Sequence, residues 1–321
     1  MAKITQSKNN PFKNTDTNKR YYTYDYYLRK TFGGKCAKIT LDAGFSCPNI
    51  DGRCGVGGCI YCSSRGSGDF AEMPSLTIEE QYSIQCEKIR KKWDTNKFIP
   101  YLQAHTNTYA PIEKLRDIYR QVLSLPNKVG INIATRADCL PSDVLELLSE
   151  IAEKTTLTVE LGLQSVHDKT ADLINRGHYY SDFVDAFYRL RKASQKISIC
   201  VHLIDGLPNE TEQMMLDTAK EMARLHPDQI KFHLLHVLRG TVLGDMYEKG
   251  DYVPMSLEDY VSVICKQLEL LPEDIVIGRI TGDGKSDDLL APEWSKKKLV
   301  VMNEIDKTLY KNDSFQGKFF N

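Results

Sequence analysis

Ala37-Lys-Ile-Thr-Leu-Asp-Ala-Gly-Phe45-Ser-Cys47-Pro-Asn-Ile-Asp-Gly-Arg-Cys54-Gly-Val-Gly-Gly-Cys59-Ile-Tyr61-Cys62 joins a short apolar run to a glycine-rich loop. Four of the nine cysteines fall within sixteen residues of that loop. A core cysteine behaves as a small hydrophobe and needs no thiol neighbours. Thiols this dense suit a metal or an iron–sulfur cluster, which short spacings let one loop wrap.

Outward from this stretch the chain alternates short apolar runs with amphipathic segments. Strands are expected at Ala37–Phe45, Phe98–His105, Val129–Ala134, Leu157–Gly162, Ile197–Leu203 and Gln229–Leu235. Thr77-Ile-Glu-Glu80 reads as a capping box, with Ile78, Tyr82, Cys86, Ile89 and Trp93 recurring on one helical face. Pro111 suits the first turn of a helix, Ser142 suits a cap, and Asn209-Glu-Thr-Glu212 opens a further helix. Parallel neighbours need a crossover, so six strands each followed by a helix or long loop imply a parallel sheet covered by helices. That sheet either lies open or curls into a full or partial barrel. In each case ligands gather at the carboxyl ends of the strands, where the cysteine loop leaves the first one.

A chain of 321 residues can bury a large core, and 41% apolar with 26% charged residues is ordinary for a globular protein. No apolar run approaches the length of a membrane span. The first residues lack an apolar signal core, so a cytoplasmic protein with reduced thiols is expected. The net charge of −1 hides an asymmetry: residues 1–38 carry nine Lys/Arg, among them Lys3 and Lys8, against Asp16 and Asp25. Tyr21, Tyr22, Tyr24, Tyr26 and Tyr27 lie in the same segment. Cations interleaved with aromatics suit phosphates and bases; the other reading is a solvated arm whose tyrosines dock on the main domain. Residues 1–20, polar throughout, are expected to be weakly ordered. Three consecutive segments follow: an arm (1–36), a barrel (37–240) and a C-terminal extension (241–321) with its own strand at Asp274–Ile280 and a Thr281-Gly-Asp-Gly-Lys285 turn.

Two ligand sets are open to the loop. Cys47, Cys54, Cys59 and Cys62 would close a structural zinc site. Cys47, Cys59 and Cys62 would instead hold three irons of a [4Fe–4S] cluster and leave the fourth for a ligand. Tyr61, inside the Cys-x-x-Cys turn, offers a ring that can cover an adenine, and Gly55-Val-Gly-Gly58 lets backbone approach a bulky cluster. The cysteines Cys36, Cys86, Cys139, Cys200 and Cys265 are scattered and read as core.

With these go Gln103-Ala-His-Thr-Asn-Thr-Tyr-Ala-Pro111, Ala134-Thr-Arg-Ala-Asp-Cys-Leu-Pro141, Glu160-Leu-Gly-Leu-Gln-Ser165, Asn175-Arg-Gly-His178, Gly206-Leu-Pro208, Lys231-x-His233-x-x-His236 and Arg279-Ile-Thr-Gly-Asp283. Together the blocks resemble the radical S-adenosylmethionine (SAM) superfamily. Within it they resemble the YtqA/YhcC-like proteins, relatives of the Elongator catalytic subunit, which share the eleven-residue first gap between cysteines. Cys54 departs from the group's pattern. The resemblance implies a parallel (βα)6 partial TIM barrel, with the C-terminal α/β extension and the basic N-terminal arm as appendages. It implies a [4Fe–4S] cluster on Cys47, Cys59 and Cys62, with SAM chelating the open iron. Reductive cleavage of SAM then gives a 5′-deoxyadenosyl radical, with a reductant such as flavodoxin or ferredoxin as partner.

The matching positions imply that Glu160 contacts SAM, that Thr106, Asn107 and Thr108 accept from its ammonium, and that Arg136 pairs with its carboxylate. Gln164 joins these contacts. A carboxylate in a buried strand otherwise calls for a paired cation, and the Thr106–Thr108 stretch otherwise reads as turn chemistry. His202, His233 and His236 are substrate-side candidates for catalysis; His105 and His178 are weaker ones. The group is associated with tRNA wobble uridine, acting on a carboxymethylaminomethyl-type side chain, so a tRNA substrate is expected. A radical SAM enzyme for a small molecule or protein side chain, and a non-catalytic zinc-stabilised binding module, are the alternatives.

Overall fold

The computed structural model describes residues 10–63, 65–66, 71–282 and 287–320. Lys3 and Lys8 of the arm, and Asp283, Gly284 and Lys285 of the expected turn, lie outside the described residues.

Among the described residues nine strands form: β1 (Ala37–Leu41), β2 (Phe98–Leu102), β3 (Ile131–Arg136), β4 (Leu157–Gln164), β5 (Ile197–Asp205), β6 (Gln229–Leu234), β7 (Val237–Leu238), β8 (Val276–Arg279) and β9 (Leu289–Ala291). Seven make one sheet in the order β1-β2-β3-β4-β5-β6-β8, and β7 pairs with β9 in a small antiparallel sheet. Strands, helices and their alternation give the α/β partial-barrel class expected. The extension supplies β8, which runs parallel to β6, so the sheet has a seventh strand beyond the six expected. Strand ends move by a few residues: β1 and β2 stop at Leu41 and Leu102, and the loops after them carry the motifs.

Contacts divide the chain into two compact units. One is Leu28–Leu163 with Asn175–Cys200; the other is Met1–Tyr27, Gln164–Ile174 and Val201–Asn321.

In the first unit, the register Leu41↔Leu102, Leu102↔Ile133 and Ile133↔Val159 lines apolar side chains along one face of the sheet. All four are fully buried. Successive strand residues point to opposite faces, so Thr40, Tyr101, Asn132 and Glu160 share the other face. A parallel sheet is buried on both sides. The polar residues on the second face therefore mark where something other than hydrocarbon is accommodated. The Ile78–Arg90 helix begins with the expected capping box of Thr77 and Glu80. It ends before Trp93, which is 41% exposed in the following turn and not on the buried stripe. Pro141, not Ser142, stands at the cap of the Ser142–Ala152 helix, and Pro111 caps Ile112–Ser124.

In the second unit, Thr211, not Asn209, caps the Glu212–Leu225 helix, accepting from the Met214 amide. The expected weak order of residues 1–20 is corrected for 10–20: Phe12, Thr15 and Arg20 are buried. Arg20 donates to Asp313 and to the Ser314 carbonyl, and the Tyr22 amide donates to the Gln316 side chain. Tyr21 is buried as well, and Tyr22 meets Tyr26 and Tyr27 edge-on. Residues 10–27 thus pack down rather than stand free, but these contacts are with the C-terminal extension and not with the barrel that the docking reading named. Tyr24–Phe32 forms a helix that polar composition and clustered tyrosines did not advertise. No helix among the described residues is long and apolar enough to cross a membrane.

Candidate cofactor site

Beyond β1 the cysteine loop folds back on itself through its own backbone. The Ile50 amide donates to the Cys47 carbonyl at 2.8 Å, the Cys54 amide to Pro48 at 3.0 Å, and the Cys62 amide to Cys59 at 3.0 Å. Asn49, fully buried, is the hub. Its carbonyl accepts from the Gly58 amide at 2.8 Å, and its side-chain amide donates to the Asn175 carbonyl and toward Cys59 Sγ at 3.7 Å. Asn175 returns the contact, donating from its side chain to the Gly58 carbonyl at 2.8 Å. Two glycines leave room for this hub. A Cβ on Gly55 would lie 2.0 Å from Asn49 Oδ1, and one on Gly177 would lie 2.9 Å from the same atom. The backbone at Gly177 also has φ +76°, a left-handed conformation that favours glycine.

Cys47, Cys59 and Cys62 are half-buried and Cys54 is exposed, and all four are free thiols. The Cys62 thiol hydrogen-bonds Cys59. That bond, with help from Arg136, the Tyr61 hydroxyl and the Asn49 amide, brings the Cys59 thiol down to about 6 against the effect of burial. Cys62 and Tyr61 are pushed the other way. A thiolate is the form that binds metals, and Cys59 is biased toward it. Cys54 instead accepts from Arg136 Nη2 at 3.5 Å.

Arg136 ends β3, and its guanidinium is largely engaged. Nε and Nη2 reach the two oxygens of Asp138 at 2.9 and 2.8 Å, and Nη1 reaches the Arg176 carbonyl at 2.7 Å. With the Cys54 contact, these use four of its five N–H groups. Burial lifts the Asp138 carboxyl, but the Arg136 hydrogen bonds hold it below its usual value. Next to this pair sits His178, buried, with no hydrogen-bond partner for either ring nitrogen among the described residues. Desolvation and the nearby Arg136 and Arg176 charges bring it down to about 4, so it is a neutral imidazole.

Thr106, Asn107 and Thr108 are buried at the end of β2. The Thr108 hydroxyl bonds Thr135 and the Cys139 carbonyl, and the Asn107 side-chain amide donates to the Ala134 carbonyl at 2.9 Å. Asn107 Oδ1 is an acceptor with no partner among the described residues. Glu160 accepts from Lys38 Nζ at 2.9 Å and Asn132 Nδ2 at 2.6 Å, so its charge is balanced inside its own unit. A cavity of about 730 Å³ opens beside Arg53, Tyr109, Asp138 and Asp182; of the expected site residues only Thr108 lines it.

Gln164 and the three histidines belong to the second unit. Gln164 closes β4 with φ +63°. His202 and His233 bring their rings to 5.0 Å. Lys231 is buried, and a Cβ on Gly278 would lie 2.9 Å from its Cγ; one on Gly282 would lie 2.6 Å from His236 Cε1. Gly278 and Gly282 therefore let residues 278–282 pack closely against the 231–236 block. Asn49, Asn175, Lys38 and Asp138 hold the first-unit residues in place, and sequence reasoning gave none of them a role. A buried-carboxylate rule pointed to a cation for Glu160, but only the register identifies Lys38.

Residues 50–222 match the radical SAM superfamily and residues 227–311 the Radical_SAM C-terminal domain. The chain belongs to the radical SAM superfamily, a class of enzymes that use a [4Fe–4S] cluster and SAM, which sets aside the zinc-stabilised module. It is 48% identical to YtqA of Bacillus subtilis over 313 residues, 98% of this chain and 97% of that one. It is 30% identical over 159 residues to a tRNA uridine(34) acetyltransferase of Methanocaldococcus infernus, covering 48% of this chain and 29% of that one. The structure of the archaeal Elp3 of Methanocaldococcus infernus shares the fold, with a TM-score of 0.63 at 18% identity, over 88% of this chain and 64% of that one.

Proposed function

We propose that this radical SAM enzyme modifies the side chain of the wobble uridine of tRNA, taking a carboxymethylaminomethyl-type group toward its aminomethyl form. The observation that carries the reading is the similarity to enzymes named for tRNA uridine 34, which spans about half of this chain. When bound, the cluster and SAM supply a reductively generated radical that abstracts hydrogen from substrate.

The residues present fit those two groups. Cys47, Cys59 and Cys62 would hold the cluster, with Cys59 already biased to thiolate and steadied by Asn49. Asn107 Oδ1 is a buried acceptor without a partner among the described residues, as expected where a ligand donor is to arrive. Asn107 would take the SAM ammonium. Thr106 and Thr108 would shape its seat, since the Thr108 hydroxyl is already spent. Arg136 acts as a fixed cation beside the thiolates, with one N–H left for the SAM carboxylate. Glu160, paired with Lys38, would accept from the ribose hydroxyls. Tyr61, whose hydroxyl is tied to Cys59, would present its ring to the adenine, and Gln164 would complete the contacts. His202, His233 and His236 would be the candidates for catalysis, His202 and His233 as a ring pair.

The test is a deletion strain analysed for wobble nucleosides by mass spectrometry. Accumulation of the carboxymethylaminomethyl form is expected. An unchanged nucleoside profile would sink the assignment, and SAM cleavage stimulated by metabolite extracts but not by tRNA would transfer it to a small molecule.

A further inference from the structure

Residues 28–35 and 88–97 hold eight Lys/Arg (Arg29, Lys30, Lys35, Lys88, Arg90, Lys91, Lys92, Lys97) against Asp94 alone, in a chain whose net charge is −1. Both segments belong to the first unit and meet where β1 and β2 begin. The Thr95 hydroxyl donates to the Lys35 carbonyl, and Lys97 Nζ donates to the Phe32 carbonyl. This pins the two turns into one surface. Lys97 is spent on that joint and Lys88 on Glu72. Lys30, Arg90, Lys91 and Lys92 are exposed, Arg90 while donating to Asn96 Oδ1 at 2.9 Å. In their midst Trp93 is 41% exposed, with Lys35 Nζ 4.2 Å from its ring.

Cations in the last turn of a helix are favoured by its dipole, which accounts for Arg90 and Lys91 without any partner. It accounts likewise for Lys30, in the last turn of the Tyr24–Phe32 helix, but not for Lys35 and Lys92, which lie beyond the two helices, or for a large indole left 41% exposed. We propose that this face is a second RNA-contacting surface, in which Lys30, Arg90, Lys91 and Lys92 take phosphates and Trp93 stacks on an unpaired base. The inference rests on tRNA being the substrate and adds where its body is held. An acidic electron-donor protein has the charge but not the place. β1 alone, five residues at ~3.3 Å each, sets ~17 Å between this end of the sheet and the cysteine loop. An extended RNA can span that distance, from this face to the loop.

The experiment measures binding of fluorescein-labelled tRNA to the reconstituted holoenzyme by anisotropy, from 50 to 300 mM salt. The variants are Arg90→Gln/Lys91→Gln/Lys92→Gln, Trp93→Ala and Trp93→Phe, each checked for native circular dichroism. The triple variant should bind about tenfold or more weakly, with the slope of log K against log salt reduced by ~2–3. Trp93→Ala should weaken binding by ~5- to 100-fold with the slope kept, and Trp93→Phe should restore most of it. Affinity and slope unchanged in the triple variant would overturn the proposal. So would a triple variant that keeps tRNA but loses a flavodoxin, which would mark the face as a protein dock. Failure of the wobble-uridine reading shows up separately, as an unaltered nucleoside profile beside intact, patch-dependent RNA binding.

Discussion

Cys54 and Cys59 are five residues apart in one loop and meet different surroundings. Cys59 is pulled toward thiolate by Cys62, Arg136, Tyr61 and Asn49, whereas burial pushes the Cys54 thiol up despite Arg136. Cys54→Ser should therefore keep the full iron content and brown colour after anaerobic reconstitution, and Cys59→Ser should lose both. Equal loss in the two, by iron assay, would return the loop to four equivalent ligands. The spacing of the four cysteines left that choice open, because their surroundings differ through neighbours such as Arg136, eighty-two residues from Cys54. Gly55 makes a sharper structural point. An added methyl would sit 2.0 Å from Asn49 Oδ1, and Asn49 is fixed by its bonds to Asn175 and Gly58. Gly55→Ala should cost ~1–3 kcal/mol, as overpacking does, and weaken iron retention. Gly57→Ala meets no atom within 4 Å and bears only the cost of φ +83°, ~1 kcal/mol. Thermal melts of the two variants that coincide would contradict the hub role of Asn49.

At the scale of elements, β5 ends in Asp205, buried with Gln267 Nε2 at 2.8 Å from one oxygen and no partner for the other among the described residues. Desolvation raises its carboxyl to about 7, against ~3.9 in an unfolded chain. Below pH ~4 both states are protonated and the group is neutral in its effect. As pH climbs from ~4 to ~7 the unfolded chain ionises first, so folded stability falls, by an upper limit of ~4 kcal/mol at pH 8. Asp205→Asn should thus stabilise the protein at pH 8 and change little near pH 4, measured by urea unfolding at both. A difference that does not grow with pH would refute it. The elements themselves were legible where period and caps agree: Thr77 with Glu80, and the runs that became β1 to β6. Trp93 kept the helical period past the helix's last residue, which periodicity alone cannot see. The Tyr180–Ala193 helix went unread because its aromatic residues masked a stripe of Phe183, Ala186, Phe187 and Leu190. Lys38, Asn132 and Glu160 looked like faults in apolar strands, and only the register shows them gathered on one face.

For the whole molecule, chain order and contact disagree most at the ends. Residues 10–23, polar and basic, resemble a tail in composition, yet Phe12 is fully buried in the unit that contains the C-terminus. Asn14 donates to the Glu273 carbonyl, Lys19 pairs with Asp306, Arg20 pairs with Asp313, and Thr23 bridges Ile277 beside β8. A lone apolar residue in a polar stretch carries too little periodicity to announce this, since its partners come from nearly three hundred residues away. The consequence separates two uses of the segment. If it were only a mobile RNA-binding tail, removing residues 1–23 would lower tRNA affinity and leave unfolding unchanged. Packed as it is, its removal strips cover from β8 and the last helix, and Phe12→Ala alone should cost ~3–5 kcal/mol, the usual price of emptying a buried phenylalanine site. Urea midpoints for the full chain, Phe12→Ala and the truncation should fall in that order with unchanged m for Phe12→Ala. A truncated protein that unfolds at the full-length midpoint would show that the contacts with Asp313, Gln316 and Ile277 contribute nothing, and would hand the segment back to solvent and RNA.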